Sequence, residues 1–399
     1  MSSRQFPTKN AKQERIEKYV QINVFSGTWA ESVIFKKHLE LQNQGVESYV
    51  FWARGSHAQD KYMKKIATYP ESCLDAAMTR LDGKACFHSK HMTSRLLKRL
   101  DEIDPDVVHL HVLLGYYINV EMLFNWVCDH HCHLLWTLHD CWAFTGHCIH
   151  FSDVHCDQWK RRCASDYPCP QTRTYPETLC NKNVGWNYDQ KKRLFTMLPE
   201  DRFSLITPSQ WLADLVAQSF LSKYPIKVVP NVVNPSIFKP TASSFRNRHN
   251  LHNRIIILGV SSSWSERKGL SDFLRLANDL DSSYVIVLIG LNAKQIRHLR
   301  KNGNGQLVLL PKTKTPYELA EAYTAANIFF NPTKEDNYPT VNLESESCGT
   351  PVVTYDVGGC RETLSLPESR CVSGYDEAVV SIEDLTQAAV SRNAKSENA

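Results

Sequence analysis

The feature that most limits how this chain can fold is the run Tyr284-Val-Ile-Val-Leu-Ile289, where no polar residue interrupts an apolar stretch of strand length. A strand with one wet face would alternate, so an uninterrupted run suits a strand covered on both faces, as in a parallel sheet with crossover helices. Comparable runs recur along the chain. In the first half Tyr19–Phe25, Glu47–Trp52, Asp106–Val112, Leu134–Leu138, Phe203–Ile206 and Ile226–Val229 read as strands, with helices over Ala30–Gln44, Val120–Cys132, Gln190–Leu198 and Ser209–Phe220. After a polar stretch containing Asn-Pro and Lys-Pro the pattern restarts, with strands at Arg254–Leu258, Tyr284–Ile289, Leu307–Leu310, Ile328–Phe330 and Pro351–Thr354. Strands alternating with helices predict an α/β protein of two Rossmann-like domains. The expected division is an N-terminal domain over 1–233, a linker over 234–253 and a C-terminal domain over 254–399.

The length of 399 residues agrees with two domains. A net charge of only +4 gives no support for nucleic-acid binding. Residues Met1–Lys18 are polar and offer no apolar core for a secretory signal, and no apolar run approaches the roughly 20 residues of a membrane span, so a cytoplasmic location is expected. A basic amphipathic helix, with Met92, Leu96, Leu97 and Leu100 on one side and Lys90, Arg95, Lys98 and Arg99 around it, reads first as a helix packed on the sheet and second as a peripheral membrane contact. Ala53–Ser89 shows no clean period.

Ligands of open parallel sheets bind beyond the carboxyl ends of the strands. There the second half places Arg267-Lys268-Gly269, two cations before a helix start, which suits a diphosphate and its developing charge. It also places Asp336 and Glu344 eight positions apart across a short helix opened by Pro339. Carboxylates accept hydroxyl protons and free backbone N–H groups attract anions, so the set suits a sugar nucleotide.

The order of these pieces resembles the donor domain of family-4 glycosyltransferases: Glu266-Arg-Lys-Gly269, a strand ending in Gly290, the helix Glu318–Ala326, Phe329-Phe-Asn-Pro-Thr333, the acidic pair, and Gly349-Thr-Pro-Val-Val353. Val108-His-Leu-His111, Trp136-Thr-Leu-His-Asp140, Thr207–Leu212 and Val229-Pro-Asn231 extend the resemblance into the first half, and Trp136–Gly146 is similar to the subgroup of bacterial exopolysaccharide, colanic-acid and capsule assembly. The implied fold is GT-B, two Rossmann-like domains facing across a cleft. Asp336 then stands where the family has the first Glu of its E-x7-E pair, expected on donor-sugar hydroxyls, and Glu344 matches the second, expected on the ribose. Lys268 matches the diphosphate lysine, Ser263 replaces the expected arginine, and Arg267 is its substitute. Asn337, Tyr338 and Pro339 fill the loop along the donor sugar. The Gly-rich turn after the first strand is reduced to Ser26-Gly27-Thr28-Trp29, and the usual Asn-Gly-(Ile/Val)-Asp is Asn231-Val-Val-Asn234.

His139 ends a strand, and a neutral imidazole there can hydrogen-bond the donor sugar or its phosphate. His109 and His111 alternate along the preceding strand and serve packing or the site equally well. Asp104-Pro-Asp106 reads as a turn, and cations with a helix dipole make a catalytic Mg²⁺ or Mn²⁺ unnecessary. The long stretch 141–182 carries Cys148, Cys156, Cys163 and Cys169, a spacing open to a structural Zn²⁺, to buried thiols or to disulfides. The expected activity is a retaining hexosyltransferase moving a sugar from a nucleoside diphosphate to a lipid-linked saccharide in exopolysaccharide or lipopolysaccharide assembly. A sugar-nucleotide epimerase of the same architecture and a non-catalytic sugar-nucleotide-binding subunit are the alternatives.

Overall fold

The computed structural model describes residues 16–26, 29–55, 61–302 and 306–397. The polar lead-in before residue 16 and Gly27-Thr28 of the shortened turn lie outside the described residues. Two compact units are present. One comprises the chain up to Ile149 with Asp157–Ile206 and Ala217–Lys227; the other comprises His150–Cys156, Thr207–Val216 and the chain from Val228 onward.

The first unit is built on a sheet of strands β1 (Lys18–Phe25), β2 (Glu47–Arg54), β3 (Met63–Lys65), β4 (Val107–Leu110), β5 (His133–Thr137), β6 (Phe203–Thr207) and β7 (Ile226–Val228), in the order β3-β2-β1-β4-β5-β6-β7. Each pairing resolved from β3 to β6 is parallel. Its helices are α1 (Trp29–Asn43), α2 (Tyr69–Asp82), α3 (Lys90–Ile103), α4 (Val120–Asp129) and α5 (Val184–Phe195). Both β3 and α2 fall in the stretch without a sequence period. Helix α2 is nevertheless well delimited: Thr68 accepts the N–H of Glu71, Pro70 lies in the first turn, and Gly83 closes the helix at φ 76°. The second acid of Asp104-Pro-Asp106 accepts the N–H groups of Glu17 and Lys18 at 2.7 and 2.8 Å, tying the start of β1 to that turn.

In the second unit, α6 (Gln210–Ala217) and α7 (Phe245–Arg248) precede a parallel sheet of β8 (Ile255–Val260), β9 (Tyr284–Ile289), β10 (Leu307–Leu310), β11 (Ile328–Asn331), β12 (Val352–Tyr355) and β13 (Arg370–Val372). Its order is β10-β9-β8-β11-β12-β13, and the helices are α8 (Leu270–Asp279), α9 (Ala293–Asn302), α10 (Pro316–Ala325), α11 (Thr340–Ser347) and α12 (Tyr375–Glu397). Strand alternation explains the unbroken apolar runs. Ile257, Ile286, Leu288, Phe330 and Val353 pack on α8 and α12, whereas Ile256, Leu258, Val285, Val287, Phe329 and Val352 pack on α10. The stretch expected as a linker is partly folded into this core, because Phe245 and Leu251 are buried against the second face. Residues 150–156 and 207–216, expected in the N-terminal domain, also belong here.

In both sheets the strand order reverses beside the first strand, between β1 and β4 and between β8 and β11. Crossovers leave to opposite sides at such a point and open a crevice beyond the strands' carboxyl ends.

Candidate functional site

In the second unit the segments that follow β8 and β11 carry most of the residues singled out in the sequence. After β8 the chain makes a short 3-10 turn, Glu266–Lys268, closed by Gly269 at φ 71°. A Cβ on Gly269 would lie 2.3 Å from the Pro332 carbonyl oxygen, so the turn reaches the segment after β11 only with glycine here. Two hydrogen bonds then stitch the loops together: Lys334 N–H donates to the Arg267 carbonyl at 2.8 Å, and the side-chain Nη1 of Arg267 donates to the Glu335 carbonyl at 2.6 Å.

This stitching brings Lys268 Nζ to 2.5 Å from Asp336 Oδ2. Burial pushes the Asp336 carboxyl up, but the Lys268 ammonium in contact with it and the Arg267 guanidinium more than offset this, and it stays ionised below the usual carboxylate range. Gly358 and Gly359 press on the backbone beneath: added Cβ atoms would sit 1.9 Å from the carbonyl oxygens of Asp336 and Asn337, and Gly359 N–H donates to Asp336 O at 3.0 Å. The Asn337 side chain accepts from Ser209 Oγ at 2.6 Å, and Tyr338 Oη donates to the Glu362 carbonyl at 3.2 Å. Pro339 is the N-cap of α11, and Ser263 is exposed in the loop after β8.

Glu344, on α11, shares the burial of Asp336 but not its cation. Its Oε2 accepts from Tyr323 Oη at 2.9 Å and no cation is bound to it, so burial pushes its carboxyl up to about 7. One acid of the pair is therefore held charged by a cation, and the other hovers between its two forms near neutral pH.

Two neighbours escaped the sequence reading. Glu335, fully buried, accepts the N–H groups of Phe151 and Ser152 at 3.2 and 2.6 Å, with His150 Nδ1 3.6 Å away. Its adjacency to Asp336 in sequence hid it, since one acid satisfied the motif. Tyr323, the partner of Glu344, lies on α10, and no spacing announces it.

In the first unit the carboxyl ends of β4 and β5 carry three imidazoles. His109 bonds Tyr19 Oη at 2.8 Å and Thr137 Oγ1 at 2.7 Å, which makes it a structural member of the sheet. Its ring centroid lies 4.1 Å from that of His111, which lies 5.8 Å from that of His139. Burial pushes His139 down to about 4 and His111 well below its ordinary value, so both are neutral at physiological pH. His111, His139, Asp140, Trp136 and Trp142 line a small pocket, with Lys191 donating to the Trp142 carbonyl at 2.6 Å behind it.

The four cysteines do not form one metal-holding set. Cys148, Cys163 and Cys169 belong to the first unit and Cys156 to the second. The Cys148 and Cys169 thiols hydrogen-bond each other, while Cys163 Sγ accepts the Gly146 N–H at 3.1 Å. Among the described residues no group of three or more His, Cys, Asp or Glu side chains is placed to hold a metal ion, and all thirteen cysteines are free thiols. Of the three states open to these cysteines, the described residues show thiols, two of them hydrogen-bonded to each other.

Comparison with known proteins adds the following. Residues 242–393 match the family model described as glycosyl transferases group 1. A protein of Escherichia coli (strain K12) named as a colanic acid biosynthesis glycosyl transferase, WcaC, is 25% identical over 381 residues, covering 90% of this chain and 87% of its own. Among solved structures, sucrose-phosphate synthase from Thermosynechococcus elongatus superposes with a TM-score of 0.66 at 14% identity, covering 93% of this chain and 90% of its own. HepE of Anabaena in complex with UDP-glucose gives 0.61 at 12% identity over the same shares.

Proposed function

We propose, from the premise that the chain is a glycosyltransferase of the GT-B fold resembling family 4, that it transfers a hexose from a nucleoside diphosphate sugar to a lipid-linked saccharide with retention at the anomeric carbon. The observation that carries this reading is the Lys268–Asp336 ion pair, formed between the loops that follow β8 and β11. A diphosphate entering beside Lys268 would share its ammonium with Asp336, so the carboxylate holds the cation in place until the leaving group needs it. Arg267, fixed through the Glu335 carbonyl, adds a second positive charge. Glu344 would accept a ribose hydroxyl, and Asp336, with the Asn337–Pro339 loop, a sugar hydroxyl. His139, neutral, would hydrogen-bond the donor sugar or its phosphate. In the transfer the bond from the anomeric carbon to the phosphate oxygen breaks, the acceptor oxygen bonds to the same face of that carbon, and its proton passes to the departing phosphate.

The named role of the Escherichia coli relative in colanic acid biosynthesis supports a product in polysaccharide assembly, and the UDP-glucose complex of HepE makes a uridine donor the first to try. Among the described residues no helix is long and apolar enough to cross a membrane. The test is a thermal-shift panel of UDP-, GDP-, dTDP- and ADP-sugars, followed by product analysis with saccharide acceptors. One donor class should raise the melting temperature and release its nucleoside diphosphate only when an acceptor is supplied. Conversion of the sugar nucleotide without any acceptor would replace this reading with the epimerase.

A further inference from the structure

Helix α2 is folded inside out. Its buried residues are polar: Ser72, Asp75 and Thr79 face inward, and Asp75 accepts from Thr79 Oγ1 at 3.0 Å and from Ser89 Oγ. Its outward face is apolar, with Leu74, Met78 and Leu81 on one stripe at exposures of 63, 42 and 69%, and Tyr69 at the first turn 82% exposed. Leu179, 71% exposed, continues the patch, because its N–H donates to the Arg80 carbonyl at 2.8 Å and so fixes it beside the helix end. A contiguous apolar face of this kind marks an interaction site, since scattered apolar residues would not line up on one helix stripe.

The surroundings of the patch choose the occupant. Lys84 and Lys182 border the end of α2, with Lys182 next to Asn183, whose side chain bonds the Asp82 carbonyl at 2.7 Å. Exposed Lys90 opens α3, which is tied to the first turn of α2 by the Arg95–Glu71 ion pair. The acids nearby are already engaged, Glu177 by Arg80 and Asp82 by His88. Cations around an apolar helix face complement an anionic lipid surface, whereas a second copy of the same face would set like charges against one another. The amphipathic helix α3, singled out in the sequence for membrane contact, buries Met92, Leu96, Leu100 and Ile103, so its own apolar side is spent.

We propose that the outward face of α2, with Leu179, docks on an anionic lipid bilayer, Leu74, Met78 and Leu81 entering the headgroup layer while the flanking cations meet lipid phosphates. This goes beyond the donor reading and does not depend on it, because binding is measured without any sugar. The experiment is co-sedimentation of the full chain with vesicles of phosphatidylglycerol and phosphatidylethanolamine, against vesicles of phosphatidylcholine alone. Binding is expected to the first, to weaken with added salt, and to fall at least about tenfold in L74E/L81E. L74S/L81S should fall in the same direction; both positions are exposed, and an unchanged melting curve for either variant ties the loss to the surface. V380E, the same kind of change at a 57%-exposed position on α12, should bind as the wild type does. Absence of wild-type binding to the anionic vesicles, or undiminished binding by L74S/L81S, overturns the proposal. So does a wild-type dimer that L74E/L81E turns into monomer without any effect on vesicles, which would make the face a self-association surface.

Discussion

Replacing Glu344 by glutamine should stabilise the protein at alkaline pH while weakening donor binding. The carboxyl titrates at about 7 in the folded chain against an ordinary value of 4.5, because burial disfavours its charge and only Tyr323 Oη helps it. A raised acid costs stability wherever the unfolded chain is ionised and the folded one is not. That cost is absent well below pH 4.5, grows as pH rises towards 7, and is constant above. At about 1.36 kcal/mol per pH unit, a separation of two and a half units amounts to about 3 kcal/mol. Glutamine keeps the shape and the acceptor for Tyr323 but cannot ionise. Urea unfolding of both proteins at pH 5 and pH 8 should therefore show the variant gaining about 2–3 kcal/mol on the wild type between the two. A donor that stabilises the wild type should stabilise the variant less, since a charged acceptor of the ribose hydroxyl has been lost. A stability difference that stays the same at both pH values would refute the electrostatic account of Glu344.

Lys268→Met should reduce turnover by about 10²–10³-fold through loss of leaving-group stabilisation, and should cost about 1–3 kcal/mol of stability by stranding Asp336. The double variant with Asp336→Asn should recover the stability in denaturant titrations but not the turnover in assays of nucleoside diphosphate release. Glu335→Ala unpairs the N–H groups of Phe151 and Ser152 and should destabilise by about 2–4 kcal/mol, with faster hydrogen exchange at those two amides by mass spectrometry or NMR.

The central strands were legible because both of their faces are covered: β9 is apolar at every position, and β8 at every position but Gly259, which Phe273 covers. The short edge strands β3 and β13, of three residues each, carry too few positions for any period. Helix α2 was missed for the opposite reason. It has a helical stripe at Leu74, Met78 and Leu81, but the stripe faces outward and the buried side is polar, so the rule equating apolar with inside gives no clean answer. At the site, Lys268, Asp336 and Glu344 could be read from motif order. Their electrostatic inequality could not, since it depends on Arg267 and Lys268 reaching one acid and Tyr323 alone reaching the other. The state of the cysteines was not legible either, because spacing within 148–169 does not fix where an irregular loop sends each thiol.

The second unit is assembled from three separate pieces of chain, and this restricts how the protein can be recombined. A hybrid joined near residue 228, pairing this chain's C-terminal part with another N-terminal part, would discard His150–Cys156 and Thr207–Val216. Glu335 would lose the N–H groups of Phe151 and Ser152, Asn337 would lose Ser209, and Glu362, which accepts the N–H groups of Gln210 and Trp211 at 2.6 and 2.8 Å, would lose the helix it caps. A functional graft must carry those two short segments with it, so the exchangeable part of this protein is a set of three-dimensional neighbours and not a C-terminal fragment.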